Sequence, residues 1–151
     1  MAVIFCNGCF DLFHPAHRVF LSLAKGLGHR GGFTQYADQE PLNWNRLIVA
    51  INSDESAKRL KHDKWGANYP RDSQEIRAQN VCRFADEVVI FNYESELHDL
   101  IERYSPCILC KGPDSAGREN EVTGSDIAPV IILDTPETEE IRELKRKAYM
   151  L

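Results

Sequence analysis

No apolar run in the 151-residue sequence approaches the roughly 20 residues that a membrane-spanning helix needs, so none is expected. An excess of basic residues is also missing. Eighteen Lys and Arg stand against 23 Asp and Glu, a net charge of −5. That excludes a broadly basic nucleic-acid binder and leaves room for a local basic site. No internal repeat and no low-complexity stretch interrupts the chain. The start, Met1 to Cys6, has no basic segment and ends in a glycine turn, so it is not read as a signal peptide and a cytoplasmic protein is expected. What is present is ordinary for a globular protein: 43% hydrophobic and 27% charged residues. At roughly 100–200 residues per domain the length reads as a single domain, 1–151. A chain of this size buries roughly 68–70% of its unfolded surface and needs no covalent staple.

Cysteine is sparse and odd in number, at five. Two pairs have CxxC spacing, Cys6–Cys9 and Cys107–Cys110. The second pair lies in Cys-Ile-Leu-Cys, which reads as a strand. Strand residues three apart point to opposite faces, so one metal ion could not collect both thiolates. No metal site is expected. The cysteines are read as reduced thiols packed as small hydrophobes.

Short apolar runs alternate with helical patterns. Ala2 to Cys6, Leu47 to Ile51, Glu87 to Phe91, Cys107 to Cys110 and Val130 to Leu133 read as five buried strands. Phe20, Leu23, Ala24 and Leu27 fall at helical spacing after Pro15, a residue suited to a first helical turn. Ala78, Val81, Cys82 and Ala85 mark a second helix, and Leu97, Leu100, Ile101 and Tyr104 a third. The tail from Pro136 to Tyr149 reads as a charged helix carrying Ile141, Leu144 and Ala148. Near-continuous apolar strands alternating with helices predict a Rossmann-like, doubly wound α/β fold, a five-stranded parallel sheet covered on both faces. Such sheets bind ligands beyond the carboxyl ends of their strands, where the strand order reverses. The loops after strands one, two and four are therefore expected to carry function. One connection is too long for this economy. Residues 28–46 join the first helix to the second strand, where roughly 2–6 residues suffice. This insertion is either a loose excursion or a lid or subunit contact.

The chemistry-bearing residues gather at those loops. After strand one, NGCFDLFHPAH places a glycine turn ahead of a helix start with two histidines three apart. Free N–H groups and the positive end of the helix dipole suit a phosphate there, and two imidazoles can donate to charge developing on its oxygens. After strand two, Asn52-Ser53-Asp54 precedes Lys58, Arg59, Lys61 and Lys64, which are either a polyphosphate contact or a solvated helix face. After strand four comes Lys111-Gly112-Pro113-Asp114, and after strand five Thr135-Pro136-Glu137-Thr138 opens the last helix. His29, His62 and His98 read as surface residues.

The run NGCFDLFHPAH resembles the HxGH signature of the cytidylyltransferase-like nucleotidyltransferases. The similarity continues through LIVAINSDESAKRLK, ADEVVIF and SPCILCKGPD, in order, over nearly the whole chain. Within that family the sequence resembles the ADP-heptose synthase domain of the bifunctional heptose kinase/adenylyltransferases. Glycerol-3-phosphate cytidylyltransferase is a more distant relative. The resemblance implies attack of a substrate phosphate oxygen on the α-phosphorus of a nucleoside triphosphate, with pyrophosphate leaving and Mg²⁺ assisting. AMP is the favoured group transferred, and CMP the alternative. The acceptor would be a small phosphorylated sugar or alcohol, and a homodimer would be in keeping with relatives. No nucleic-acid or membrane partner is expected.

By the same resemblance His14, His17 and Lys61 are catalytic. Gly8, Cys9, Phe10, Asp11, His14, His17, Lys111, Gly112, Asp114 and Thr138 bind nucleotide, with Asp11 also ordering its loop. The departures fall mainly in the carboxy-terminal half. The signature glycine is Ala16. The Lys-Gly-Gly-Asp of the branch is Lys111-Gly112-Pro113-Asp114, and proline removes a donor. A serine/threonine cluster is reduced to Thr138, preceded by Glu137, whose carboxylate should repel a triphosphate. An arginine of the family falls near Glu75 here, with Arg71 and Arg77 on either side. A nucleotide-binding module without turnover is the alternative expectation.

Overall fold

A computed structural model describes residues 2–27 and 46–150. Its elements follow the apolar pattern. They are β1 (Val3–Gly8), α1 (Pro15–Gly26), β2 (Arg46–Asn52), α2 (Asp54–Trp65), α3 (Gln74–Val81), β3 (Glu87–Phe91), α4 (Glu94–Tyr104), β4 (Ile108–Lys111), β5 (Val130–Ile132) and α5 (Glu139–Tyr149). The five strands form one sheet in the order β3-β2-β1-β4-β5, and every neighbouring pair is parallel. The doubly wound expectation holds. The reading of residues 28–45 as lid, contact or loose insertion lies outside the described residues; Arg46 opens β2 and ion-pairs with Glu87 at 2.6 Å.

Strand alternation sorts the core into two layers. Ile4 and Cys6 of β1 join Leu47, Val49 and Ile51 of β2 under α1 and α3, meeting Leu21, Ala24 and Val81. Phe5, Ile48 and Ala50 point the other way, onto Leu97 and Ile101 of α4. The central strands are therefore buried on both faces, which explains their unbroken apolar sequences. A third cluster, Cys9, Ala57, Tyr69 and Tyr149, sits past the carboxyl end of the sheet. It ties α5 to the loop after β1.

The boundaries shift by small amounts. β1 continues through Asn7 and Gly8, the expected turn, because both pair with β2 at Ala50 and Ile51. The tail helix begins at Glu139, where the Thr138 hydroxyl accepts a hydrogen bond from the Ile141 N–H as a cap. Residues 54–65 form a helix capped by Ser53, buried at Ser56 and Ala57 and largely solvated elsewhere. The cysteine reading needs correction in part. Cys6, Cys9 and Cys110 are buried, but Cys82 and Cys107 are exposed. Cys107 precedes β4 and contacts the Val3 carbonyl, whereas Cys110 faces the core beside Cys6. Burial raises the Cys6 thiol, and it pushes Cys110 up to about 12, so both stay protonated.

Candidate active site

β1 and β4 are neighbours in the sheet although two strands and four helices lie between them in sequence order, so the loops leaving their carboxyl ends open a crevice between them. A cavity of about 460 Å³ lies there. Asn7 to Phe10, His14, Ala16 and His17 line it from β1 and α1; Lys111 to Asp114 line it from β4; Thr135 to Glu137, Arg142 and Lys145 line it from the α5 side; and Lys61 reaches in from α2. Four cationic side chains there face two carboxylates, in a chain whose net charge is −5. The local excess of positive charge suits an anion.

The loop after β1 is held in an unusual shape. Phe10 and Leu12 both take left-handed backbone conformations, with φ of 53° and 58°. Each costs roughly 1–2 kcal/mol for a residue bearing a Cβ. Two buried polar side chains offset that strain. The Asp11 carboxylate accepts from the backbone N–H groups of Arg71 (2.7 Å) and Asp72 (2.9 Å) and from the Tyr149 hydroxyl (2.6 Å). The guanidinium of Arg77, with no solvent exposure, donates to the carbonyls of Cys9 and Asn52, each at 2.9 Å, to the Asp72 carbonyl and to the Asp54 carboxylate. Arg77 thus clamps the loops after β1 and β2 together. Gly8 gives this loop clearance, since a Cβ there would meet the Phe10 ring at 3.0 Å.

His14 and His17 emerge where this loop becomes α1. Their rings stack at 3.7 Å, nearly parallel, and His17 Nδ1 accepts from the His14 N–H at 3.3 Å. His14 is 4% exposed, and neither of its ring nitrogens has a hydrogen-bond partner among the described residues. Buried polar atoms are usually paired, so two orphaned nitrogens lining a cavity point to a ligand. Burial, with Lys145 and Arg18 nearby, lowers His14 to about 4. Burial, then His14, Lys145 and Lys61, lowers His17 to about 2. Both rings are neutral at pH 7 and can donate only through one tautomeric N–H each.

The expected residues divide. Gly8, Cys9, Phe10, His14, His17, Lys61, Lys111, Gly112 and Asp114 all line the cavity. Two expected there do not. Asp11 is turned into the structure by its three hydrogen bonds, and Thr138 caps α5 and borders an adjoining apolar cleft with Val19 and Leu144. Pro113 opens a single 3-10 turn, Pro113–Ser115, at a position where its missing N–H costs nothing. Arg77, not Arg71, supplies the buried guanidinium in α3. The sequence reading missed Lys145 and Arg142. Lys145 projects from α5 to ion-pair with Glu137, and burial followed by Lys61 and Lys64 lowers it to about 8. Only the helical spacing of the tail hinted that this lysine faces inward. Lys111 is likewise lowered by burial.

A second cavity, of about 360 Å³, adjoins the first and shares Asn7, Gly8, Cys9, Lys61 and Lys111 with it. Its other walls carry Asn52, Glu94, Arg118, Glu121 and Thr123.

No family model matches the chain. The sequence is 38% identical over 133 residues to the bifunctional protein HldE of Campylobacter concisus, covering 87% of this chain and 23% of that protein. It is 34% identical over 151 residues to HldE of Gluconobacter oxydans, covering 95% of the chain and 27% of the relative. The chain thus spans about a quarter of the length of these relatives. Its fold matches the crystal structure of a lipopolysaccharide core biosynthesis protein from Thermoplasma volcanium, with a TM-score of 0.61 at 19% identity over 92% of this chain and 99% of the other. The resemblance carried by NGCFDLFHPAH, NSD and KGPD is upheld: over most of its length this chain is a relative of one segment of the bifunctional protein HldE.

Proposed function

We propose that the chain is a nucleotidyltransferase domain, residues 1–151 with an insertion near 28–46, that moves a nucleoside monophosphate from a triphosphate to a small phosphorylated sugar or alcohol. AMP is the favoured group and CMP the alternative. The observation that carries this reading is the stacked histidine pair, with both ring nitrogens of His14 unpaired among the described residues and set against a cationic cavity at the β1/β4 crevice.

The triphosphate occupies the larger cavity, and the acceptor occupies the adjoining one, its phosphate near Lys61 and Lys111, which line both. This puts the acceptor oxygen and the α-phosphorus on either side of a shared cationic wall. The acceptor oxygen attacks the α-phosphorus in line, and the bond to the pyrophosphate oxygen breaks. The protein supplies position and charge stabilisation without a covalent intermediate. Neutral His14 and His17 donate to the oxygens on which charge develops, from largely buried positions where each such bond is strong. Asp11 and Arg77 act at a distance by fixing the loop that carries them. Magnesium fits as an ion carried mainly by the phosphates, since it keeps substrate and water ligands and needs few carboxylates; Asp114 is the cavity carboxylate outside the Glu137–Lys145 pair. When bound it neutralises phosphate charge. A homodimer and a cytoplasmic location accord with this reading; no helix among the described residues is long and apolar enough to cross a membrane.

A second reading, a nucleotide-binding module without turnover, is favoured by one observation, the Glu137 carboxylate in the anion cavity. Pyrophosphate release separates the two. The purified protein is mixed with Mg²⁺ and ATP or CTP, across a panel of phosphorylated sugars and alcohols. Acceptor-dependent release that vanishes in His14→Ala supports the transferase. Nucleotide binding with no release for any acceptor supports the module.

A further inference from the structure

The serine/threonine cluster that the resemblance implies at the start of the last helix is reduced to Thr138, yet the α5 wall of the cavity is not empty of donors. Lys145 lies two turns into α5, and its ammonium crosses back to the Glu137 carboxylate at the cavity wall. The lysine side chain is 19% exposed and the glutamate 38%. Arg142 reinforces the position of Glu137 by donating to its carbonyl at 3.2 Å. On the other side the Lys145 ammonium stands 5.7 Å from the centroid of the Trp65 ring, and that ring packs on Tyr149. Lys145 is therefore aimed and supported from two elements. Lys145 lines the same cavity as His14 and His17.

A carboxylate on a partly buried ammonium, inside a cavity of net positive charge, occupies the place a phosphate oxygen would take. We infer that Lys145 is a triphosphate-binding residue and that Glu137 is an internal anion which holds it until a triphosphate displaces the carboxylate. This rests on the triphosphate reading of the cavity given above. The relay makes the α5 wall a self-occupied half-site. Affinity is set by competition between one carboxylate in the chain and the incoming phosphates. Simple repulsion by Glu137 would also weaken binding, but it would do so whether or not Lys145 is present.

A double-mutant cycle read by titration calorimetry separates these. The probe is inorganic tripolyphosphate, added to wild type, Glu137→Gln, Lys145→Met and the double variant, with melting curves to show that each is folded. Lys145→Gln replaces Lys145→Met if the latter is unfolded. The inference predicts that Lys145→Met weakens binding at least tenfold, the loss of one charge-assisted contact. Glu137→Gln tightens it about tenfold, and that gain disappears in the Lys145→Met background. Unchanged binding in Lys145→Met overturns the inference. So does an equal gain from Glu137→Gln with and without Lys145, which would make Glu137 a bystander charge. A His14→Ala/His17→Ala variant run alongside tests the underlying reading. If that variant binds like wild type while the cycle behaves as stated, the histidine site fails and the Lys145 site stands. If the histidines matter and Lys145 does not, the reverse holds. No binding by any variant, Glu137→Gln included, overturns both.

Discussion

The two walls of the cavity are made in opposite ways. The β1 wall is neutral and largely buried: two stacked imidazoles held below their ordinary titration range, on a loop with two left-handed residues locked by buried Asp11 and Arg77. The α5 wall is charged and self-paired, with Glu137 on Lys145 at the edge of solvent. A wall of the first kind cannot adapt. Its cost is met in folding, and its donors need no reorganisation when charge develops. A wall of the second kind can exchange one anion for another. By the resemblance, the rigid wall keeps both signature histidines and departs at Ala16, whereas the α5 wall carries Glu137 and Lys145 and retains only Thr138 of the implied serine/threonine cluster.

The largest effect expected comes from breaking the rigid wall at its chemistry. His14→Ala or His17→Ala should lower turnover on the order of 10²–10³-fold, the usual loss for one preorganised donor. Melting should stay within a few degrees of wild type, as measured by circular dichroism. Breaking the same wall at its support should instead show in stability. Arg77→Met leaves the Cys9 and Asn52 carbonyls unpaired and removes the partner of Asp54. A loss of about 3 kcal/mol is expected in urea titration, since removing one member of a buried charged network leaves the rest unsatisfied.

Acid should weaken the rigid wall. An exposed histidine in the unfolded chain takes up its proton near pH 6.5. His14 holds out to about 4 and His17 to about 2. Below pH 6.5 the unfolded chain therefore binds more protons than the folded one, and folding stability falls as pH drops. The decline from His14 runs from about 6.5 to 4, and His17 extends it toward 2. Urea midpoints at pH 7, 5.5 and 4.5 should fall in that order, and the fall should be shallower in His14→Ala/His17→Ala. The smallest effect belongs to the link between the walls. Tyr149→Phe removes one of three hydrogen bonds to Asp11 and should cost about 1 kcal/mol. Turnover should change less than in either histidine variant.

Much of this was legible in the sequence, and what was not has a physical reason. Apolar runs such as Leu47 to Ile51 expose strand and burial together, because a strand covered on both faces has no polar face to alternate. Pro15 and the paired histidines marked the α1 start, and the histidine cavity formed where the topology required. Asn7 and Gly8 read as a turn, yet pairing with β2 overrides local turn preference. Arg77 could not be recognised as buried. Its partner carbonyl at Cys9 is 68 residues away, and nothing in an arginine between Ile76 and Ala78 announces a clamp. Asp11 meets Tyr149 across 138 residues. Lys145 sits among Lys and Arg in a helix that reads as charged, and beyond its helical spacing from Ile141 only tertiary packing shows that it faces the cavity.

The proposed function requires that the histidine cavity take a nucleoside triphosphate. The most direct test is the melting temperature of the pure protein with Mg²⁺ and, separately, ATP, CTP, GTP and UTP, for wild type and for His14→Ala/His17→Ala. A ligand at about 100 times its dissociation constant adds about 2.7 kcal/mol, which for a chain of this size is several degrees. Such a rise is expected with ATP or CTP in wild type, and its loss in the double variant. No rise with any of the four, or an equal rise when both histidines are gone, would contradict it.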